Sequence, residues 1–316
     1  MISIPSLGIH IGKYKPTIMT PPSNYQLVFS DDFTSFNEDD YYQSEAWGDF
    51  SASDLNQYWQ RDIKDGCIKC LDEGGLILKC RHNPITLRLG DMGWRIDELK
   101  KVLHTDDLDA TFSIPTECAK IRTKKVYQYG WFEADIKMPR GIGYWTAFWL
   151  AGENWPPEID IVEAYSLYGE NYDKRVGLKN LYYTSKYWRL EPNLHYGYLG
   201  GVGDNRKQSV GPTEHYVERC NENYVHYVCH WTEDFIRVYY DGYKVMDCRD
   251  EDILKWFNPY NPSGYSGITP YSSKMMVLFN HGIVCDMLQL PDCDEPKNWM
   301  YIKNFKIYQK KIRDDF

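Results

Sequence analysis

The chain has 316 residues, of which 16% are aromatic, and a formal net charge of -9. That length accommodates two domains or one large all-β domain. The acidic balance excludes nucleic acid as the main partner, and no apolar run approaches the roughly 18 residues of a membrane span.

Residues 1–24 are proline-rich with little periodicity. They read as an arm that lies on the surface or docks to a larger assembly. They lack the basic start and apolar run of a secretory signal. Residues 25–316 read as one domain. Tyr25–Phe29 is the first strand, and an acidic irregular segment follows at 34–57. Short strands are expected near Tyr58–Asp62, Ile68–Leu71 and Leu76–Arg81, with Gly74-Gly75 as a turn. Residues 91–108 are polar and suit a loop or a short helix. The nine cysteines, odd in number and irregular in spacing, read as thiols rather than a disulfide framework. Cys67-Ile-Lys-Cys70 with Cys80 suggests zinc, but no second pair completes the ligand set.

The strongest alternation runs from Lys125 to Met138. Pro139-Arg140-Gly141-Ile142-Gly143 turns it, Tyr144–Leu150 runs back, and Gly152–Pro157 leads into Glu158-Ile159-Asp160-Ile161-Val162-Glu163. With no helix between them, these three strands read as an antiparallel meander. On a strand, Glu158 and Asp160 share one face while Ile159 and Ile161 take the other. Glu163 has the wrong parity. One extra residue, a β-bulge near Ile161-Val162, returns it to the carboxylate face. A helix would set Glu158 and Glu163 about 140° apart and assemble no site.

Residues 166–190 and 197–214 are long connections, and such loops often carry function. Tyr224–Trp231 and Phe235–Tyr240 are strands, and Asp241-Gly242 is a hairpin turn. Met275–Asn280 and Met300–Gln309 are the last strands. The fold class is all-β: one two-sheet antiparallel sandwich with long loops.

The meander and acidic strand resemble glycoside hydrolase family 16, whose signature is Glu-hydrophobic-Asp-hydrophobic-(hydrophobic)-Glu. Glu158 to Glu163 fits the longer, bulged form, as in laminarinases, agarases, porphyranases and carrageenases. Tyr129–Ala134, Gly143–Leu150, His230–Gly242 and Tyr301–Tyr308 are similar to the flanking strands, so the likeness covers roughly residues 25–310. It implies a jelly-roll sandwich with a concave carbohydrate cleft and retaining, endo-acting hydrolysis of a β-linked polysaccharide outside the cell. Two departures stand out: Trp131, and the long segment before the His195-Tyr196 pair, which resembles a strand with an active-site histidine.

By this resemblance Glu158 is the nucleophile and Glu163 the acid/base, with Asp160 hydrogen-bonding Glu158. Three adjacent acids do not all ionise cheaply, and the reaction needs the proton on Glu163. Trp145 and Trp155 are candidates to stack on sugar rings, and His195 and Asn280 to touch substrate. Trp149 reads as core. No cofactor is required and no metal is assigned. Glu158, Asp160 and Glu163 lack the turning loop of a Ca²⁺ site, although a structural Ca²⁺ on the convex face is compatible with the family. Near the signature tryptophans abound, and no Lys or Arg lies between Gly141 and Glu163. This favours a neutral β-1,3-glucan, with a red-algal galactan second. A non-catalytic carbohydrate-binding sandwich is the rival from another class, but it leaves the three acids at bulge spacing without a reason.

Overall fold

The computed structural model describes residues 2–4, 9–11, 17–43, 57–59, 66–140, 143–153, 157–165, 187–197, 207–209, 215–218, 220–249, 251, 273–283 and 293–311. Among these, two large sheets lie face to face, one of eight strands and one of ten. Pairing is antiparallel throughout them except where Gln57–Trp59 runs parallel to Thr116–Cys118. The single α-helix among the described residues is Ile96–Leu103, within the polar stretch that suited a loop or a short helix. The expected two-sheet sandwich is therefore the observed architecture.

The ten-stranded sheet, here the acidic sheet, has Glu158–Tyr165 near one end. Its neighbours are Tyr187–Gly197 on one side and Tyr144–Gly152 on the other; beyond the latter come Met275–Ile283, Thr111–Thr123 and Tyr41–Tyr42. The opposing sheet centres on Gly130–Lys137, between Val225–Trp231 and Met300–Lys310. This corrects the meander. Tyr144–Gly152 and Glu158–Tyr165 do pair, but Gly130–Lys137 belongs to the other sheet. The chain thus passes from one layer to the other between Lys137 and Tyr144. Alternation shows which residues share a face, not which sheet a strand joins.

Two further departures concern individual segments. Trp131 is buried on the opposing sheet, where its Nε1 donates to Glu133 Oε2 at 2.7 Å; it therefore stands apart from the acidic strand. The arm contains an antiparallel pair, Ile2–Ile4 with Ile9–Ile11. Further along it is fastened to the opposing sheet: the Thr17 amide donates to the Asp241 carbonyl, and the Lys311 amide to the Asn24 carbonyl. Asp241-Gly242 is the expected hairpin turn, with both residues at positive φ (46° and 85°).

The core lies between the sheets. Phe148 stacks on Phe279 of the neighbouring strand at 4.5 Å, and Phe305 of the opposing sheet meets both edge-on. The eight described cysteines are free thiols, seven of them buried.

The register of the acidic strand shows the bulge directly. Val162 pairs with Phe148 and Asp160 with Trp149, so Ile161 is the extra residue. Ile161 and Val162 are both fully buried in the core, and Glu163 emerges beside Ala147 on the side facing away from it. A bulged residue drops out of the ladder, so its carbonyl needs another donor. Tyr240, buried on the opposing sheet, reaches through the core and donates to the Ile161 carbonyl at 2.9 Å. Replacing Tyr240 with Phe removes that donor and leaves a buried acceptor unsatisfied. The expected loss is about 1–3 kcal/mol in urea unfolding with an unchanged m value; a loss near zero means that water or a backbone shift replaces the bond.

Candidate active site

The site is built on the open face of the acidic sheet. Register alone brings most of it together. Glu158 lies opposite Ala151 and Glu163 opposite Ala147. On the other flank Glu158 faces His195, Asp160 faces Asn193 and Glu163 faces Glu191. Small alanines on the tryptophan-bearing strand leave room above the carboxylates. Asp160 and Glu163 are buried, and Glu158 is partly exposed.

Each acid is held differently. Trp145 Nε1 donates to Glu163 Oε1 at 3.0 Å, so this tryptophan positions a carboxyl as well as offering a ring. His195 Nε2 lies 3.3 Å from Asp160 Oδ2 and 3.6 Å from Glu158 Oε1. Asn193 Oδ1 accepts the Leu194 amide at 2.9 Å, which leaves its Nδ2 to donate to His195 Nε2, also at 2.9 Å. Burial, followed by the charges of Glu191, Glu163 and Asp160, pushes the Tyr240 hydroxyl far up. It therefore stays a donor to the bulge.

The floor lies one and two strands further on. Trp149 is on the open face, not in the core as its sequence context suggests. It packs with Ala147, Ala151, Met276 and Leu278, and its Nε1 donates to Asn280 Oδ1 at 2.7 Å. Asn280 is itself buried and pairs with Ala147 and Lys120 on its two flanks. It braces the tryptophan floor. Trp155 lies outside the described residues, as do most of the two long connections; the end of the first, residues 187–190, opens the strand Tyr187–Gly197, and Lys207–Ser209 within the second is a strand.

Lys120 is the residue that sequence reading missed. It comes from Thr111–Thr123, a strand whose alternation is masked by Pro115 and by charges at Glu117, Lys120 and Arg122. Its side chain is 1% exposed, with Nζ 4.8 Å over the Trp149 ring. Burial pushes this ammonium well below the usual lysine range, the charge of Glu158 pulls it up, and Arg122 pushes it down again. The Lys120 amine thus sits in the floor within electrostatic reach of Glu158.

Among the described residues, Glu158, Asp160 and His195 are the His, Asp and Glu side chains grouped closely enough for an ion, with ligand atoms within 4.8 Å of one another. Two carboxylates and an imidazole are not the all-oxygen set that Ca²⁺ takes. The same three groups suit acid–base and nucleophilic chemistry.

The profile of glycosyl hydrolases family 16 matches residues 92–268, more than half of the chain. The chain belongs to glycosyl hydrolase family 16. It is 54% identical over 37 residues to an endo-1,3-1,4-β-glycanase of Rhizobium meliloti, covering 11% of this chain and 8% of that one. It is 44% identical over 59 residues to a probable endo-1,3(4)-β-glucanase of Aspergillus clavatus, covering 17% and 9%. These matches span under a tenth of either relative's length. Solved structures share the fold along nearly the whole chain. A non-specific endo-β-1,3(4)-glucanase of the family superposes with a TM-score of 0.59 at 17% identity, covering 93% of this chain and 94% of that one. The catalytic domain of an endo-1,3-β-glucanase from Thermotoga petrophila gives 0.57 at 16%, covering 91% and 99%. A chain from a structure of gut-microbiota endo-acting O-glycanases that initiate mucin breakdown gives 0.64 at 19%, covering 94% of each.

Lys120 generates a prediction of opposite sign for stability and activity. Its folded pKa is depressed, so the stability it contributes is full only above the ordinary lysine pKa and is lost as pH falls through the folded value. At lower pH the buried ammonium is a cost. Lys120→Met is expected to keep or raise Tm, to lower kcat by about tenfold or more, and to move the acid limb of the pH–rate profile upward. A lower Tm with an unmoved acid limb contradicts this assignment.

Proposed function

We propose that this chain is a retaining, endo-acting glycoside hydrolase of β-linked polysaccharide, with β-1,3-glucan as the first candidate substrate. One observation carries the reading. The Ile161 bulge sets Glu158, Asp160 and Glu163 on one face, with a tryptophan bonded to the last.

In this mechanism Glu158 attacks the anomeric carbon as Glu163 protonates the departing glycosidic oxygen, giving a covalent glycosyl-enzyme. Glu163 then takes a proton from water, which displaces Glu158. Asp160 and His195 orient Glu158. Lys120 favours its ionised form. Trp145 holds the Glu163 carboxyl at the angle needed for transfer. Trp149, held by Asn280, offers a flat floor to the apolar face of a sugar ring.

The similarity to an endo-1,3-1,4-β-glycanase and a probable endo-1,3(4)-β-glucanase supports a β-glucan. A galactan remains the second reading. It is favoured by the basic side chains that Thr111–Thr123 brings to the open face. Action on an extracellular polymer follows from either substrate.

Reducing-end release is the test, on laminarin, lichenan, agarose, porphyran and carrageenan, with wild type and Glu158→Ala. The expected result is a ladder of oligosaccharides from laminarin by the wild type, and a loss of about 10³-fold or more in Glu158→Ala. A single short product from the first minutes contradicts endo action. Cleavage of a galactan with laminarin left intact overturns the substrate assignment.

A further inference from the structure

The strand that supplies Lys120 continues past it. Lys120 and Arg122 alternate with the core residues Ala119 and Ile121, so both face away from the core, and Lys124 follows at the strand end. Arg122 pairs with Tyr42, on the next strand of the sheet. Tyr41 is buried in the core, whereas Tyr42 is 45% exposed. The Arg122 guanidinium lies 4.2 Å over the Tyr42 ring and Lys124 Nζ lies 5.0 Å from it. Arg122 Nη1 also reaches Met276 Sδ at 3.0 Å. Met276 belongs to the floor cluster around Trp149.

These contacts make one surface. From the acidic strand it crosses Tyr144–Gly152 and Met275–Ile283 to Thr111–Thr123, then to Tyr41–Tyr42. At about 4.8 Å per strand, Arg122 stands roughly 14 Å from the acids. A polysaccharide laid across the strands reaches it several sugar units from the bond that is cut. The chain carries a net charge of -9, yet this end of the face gathers Lys120, Arg122 and Lys124. Glu153 is the acid whose charge acts on Arg122.

We propose that Tyr42, Arg122 and Lys124 form a distal subsite that takes a sugar with an anionic substituent, a carboxylate or a sulfate ester. Tyr42 supplies the apolar platform and the two cations supply the charge, with the guanidinium fork matched to an oxyanion. The subsite deepens the hydrolase reading and rests on it. The enzyme then prefers a β-glycan bearing acidic groups over the same backbone without them.

The test uses three forms of one β-1,3-glucan: carboxymethylated, sulfated, and hydroxyethylated as a neutral polymer of similar bulk. Binding is read by affinity electrophoresis of Glu158→Gln protein in gels containing each polymer, and turnover as kcat/KM of the wild type. The expected result is tighter binding and higher kcat/KM on at least one anionic form. That advantage shrinks about fivefold in Arg122→Met or Lys124→Met and fades as salt rises. Arg122→Lys recovers part of it. Lys310→Met, on the opposing sheet, removes one positive charge and keeps the advantage. Equal binding of the neutral and anionic forms overturns the subsite, and so does an equal loss in Lys310→Met. A wild type that cuts all three forms equally sinks the subsite alone. A wild type that cuts no β-glycan sinks the hydrolase reading.

Discussion

The open face of the acidic sheet depends on one displaced peptide. A regular strand from Glu158 to Glu163 would send the last carboxylate into the core. The extra residue at Ile161 prevents this, and both Ile161 and Val162 are buried as a consequence. The distortion is secured from the other layer, because the Tyr240 hydroxyl crosses the core to the Ile161 carbonyl. The two sheets therefore do more than share a hydrophobic interior. One supplies the acids and the other holds the kink that aligns them. Tyr240 stays protonated because burial and three nearby carboxylates disfavour its anion, so the donor is retained wherever the protein is folded.

The electrostatics of the face follow from the same registry. Glu158, Asp160, Glu163 and Glu191 come from two neighbouring strands, and four acids that close together are costly unless something offsets them. Three devices are visible. Trp145 donates to Glu163. His195 stands between Glu158 and Asp160. Lys120 brings a buried amine over the Trp149 ring, within electrostatic reach of Glu158. Buried ion pairs rarely add stability, because desolvation offsets the attraction. A lysine kept in that position makes more sense as part of the chemistry than of the fold.

Much of this was legible in the residues. Period-2 alternation with one parity error in Glu158–Glu163 was enough to place a bulge at Ile161-Val162, and Asp241-Gly242 marked its hairpin. What escaped was information that local pattern does not contain. Alternation in Gly130–Lys137 is real, but nothing local assigns that strand to the opposing sheet, and the meander reading failed there. Thr111–Thr123 was invisible because Pro115 argues against a strand and because Glu117, Lys120 and Arg122 look like a solvated run. The burial of Glu117 and Lys120 is tertiary, set by pairing of residues 111–118 with Cys80–Arg88 and of residues 119–122 with Met275–Ile283. Trp149 was misplaced for a related reason. A large apolar residue on a strand suits either face, and only the floor of Met276 and Leu278 with the Asn280 side-chain oxygen decides it.

The central claim is the division of labour between Glu158 and Glu163. Chemical rescue with azide on an activated β-glycoside measures it directly. If Glu158 is the nucleophile, Glu158→Ala in azide gives the α-glycosyl azide by a single inversion. Glu163→Ala, which still forms the glycosyl-enzyme, gives the β-glycosyl azide by two. Proton NMR of the anomeric position distinguishes the products. The account predicts α from the first variant and β from the second; the reverse pattern, or the same anomer from both, contradicts it.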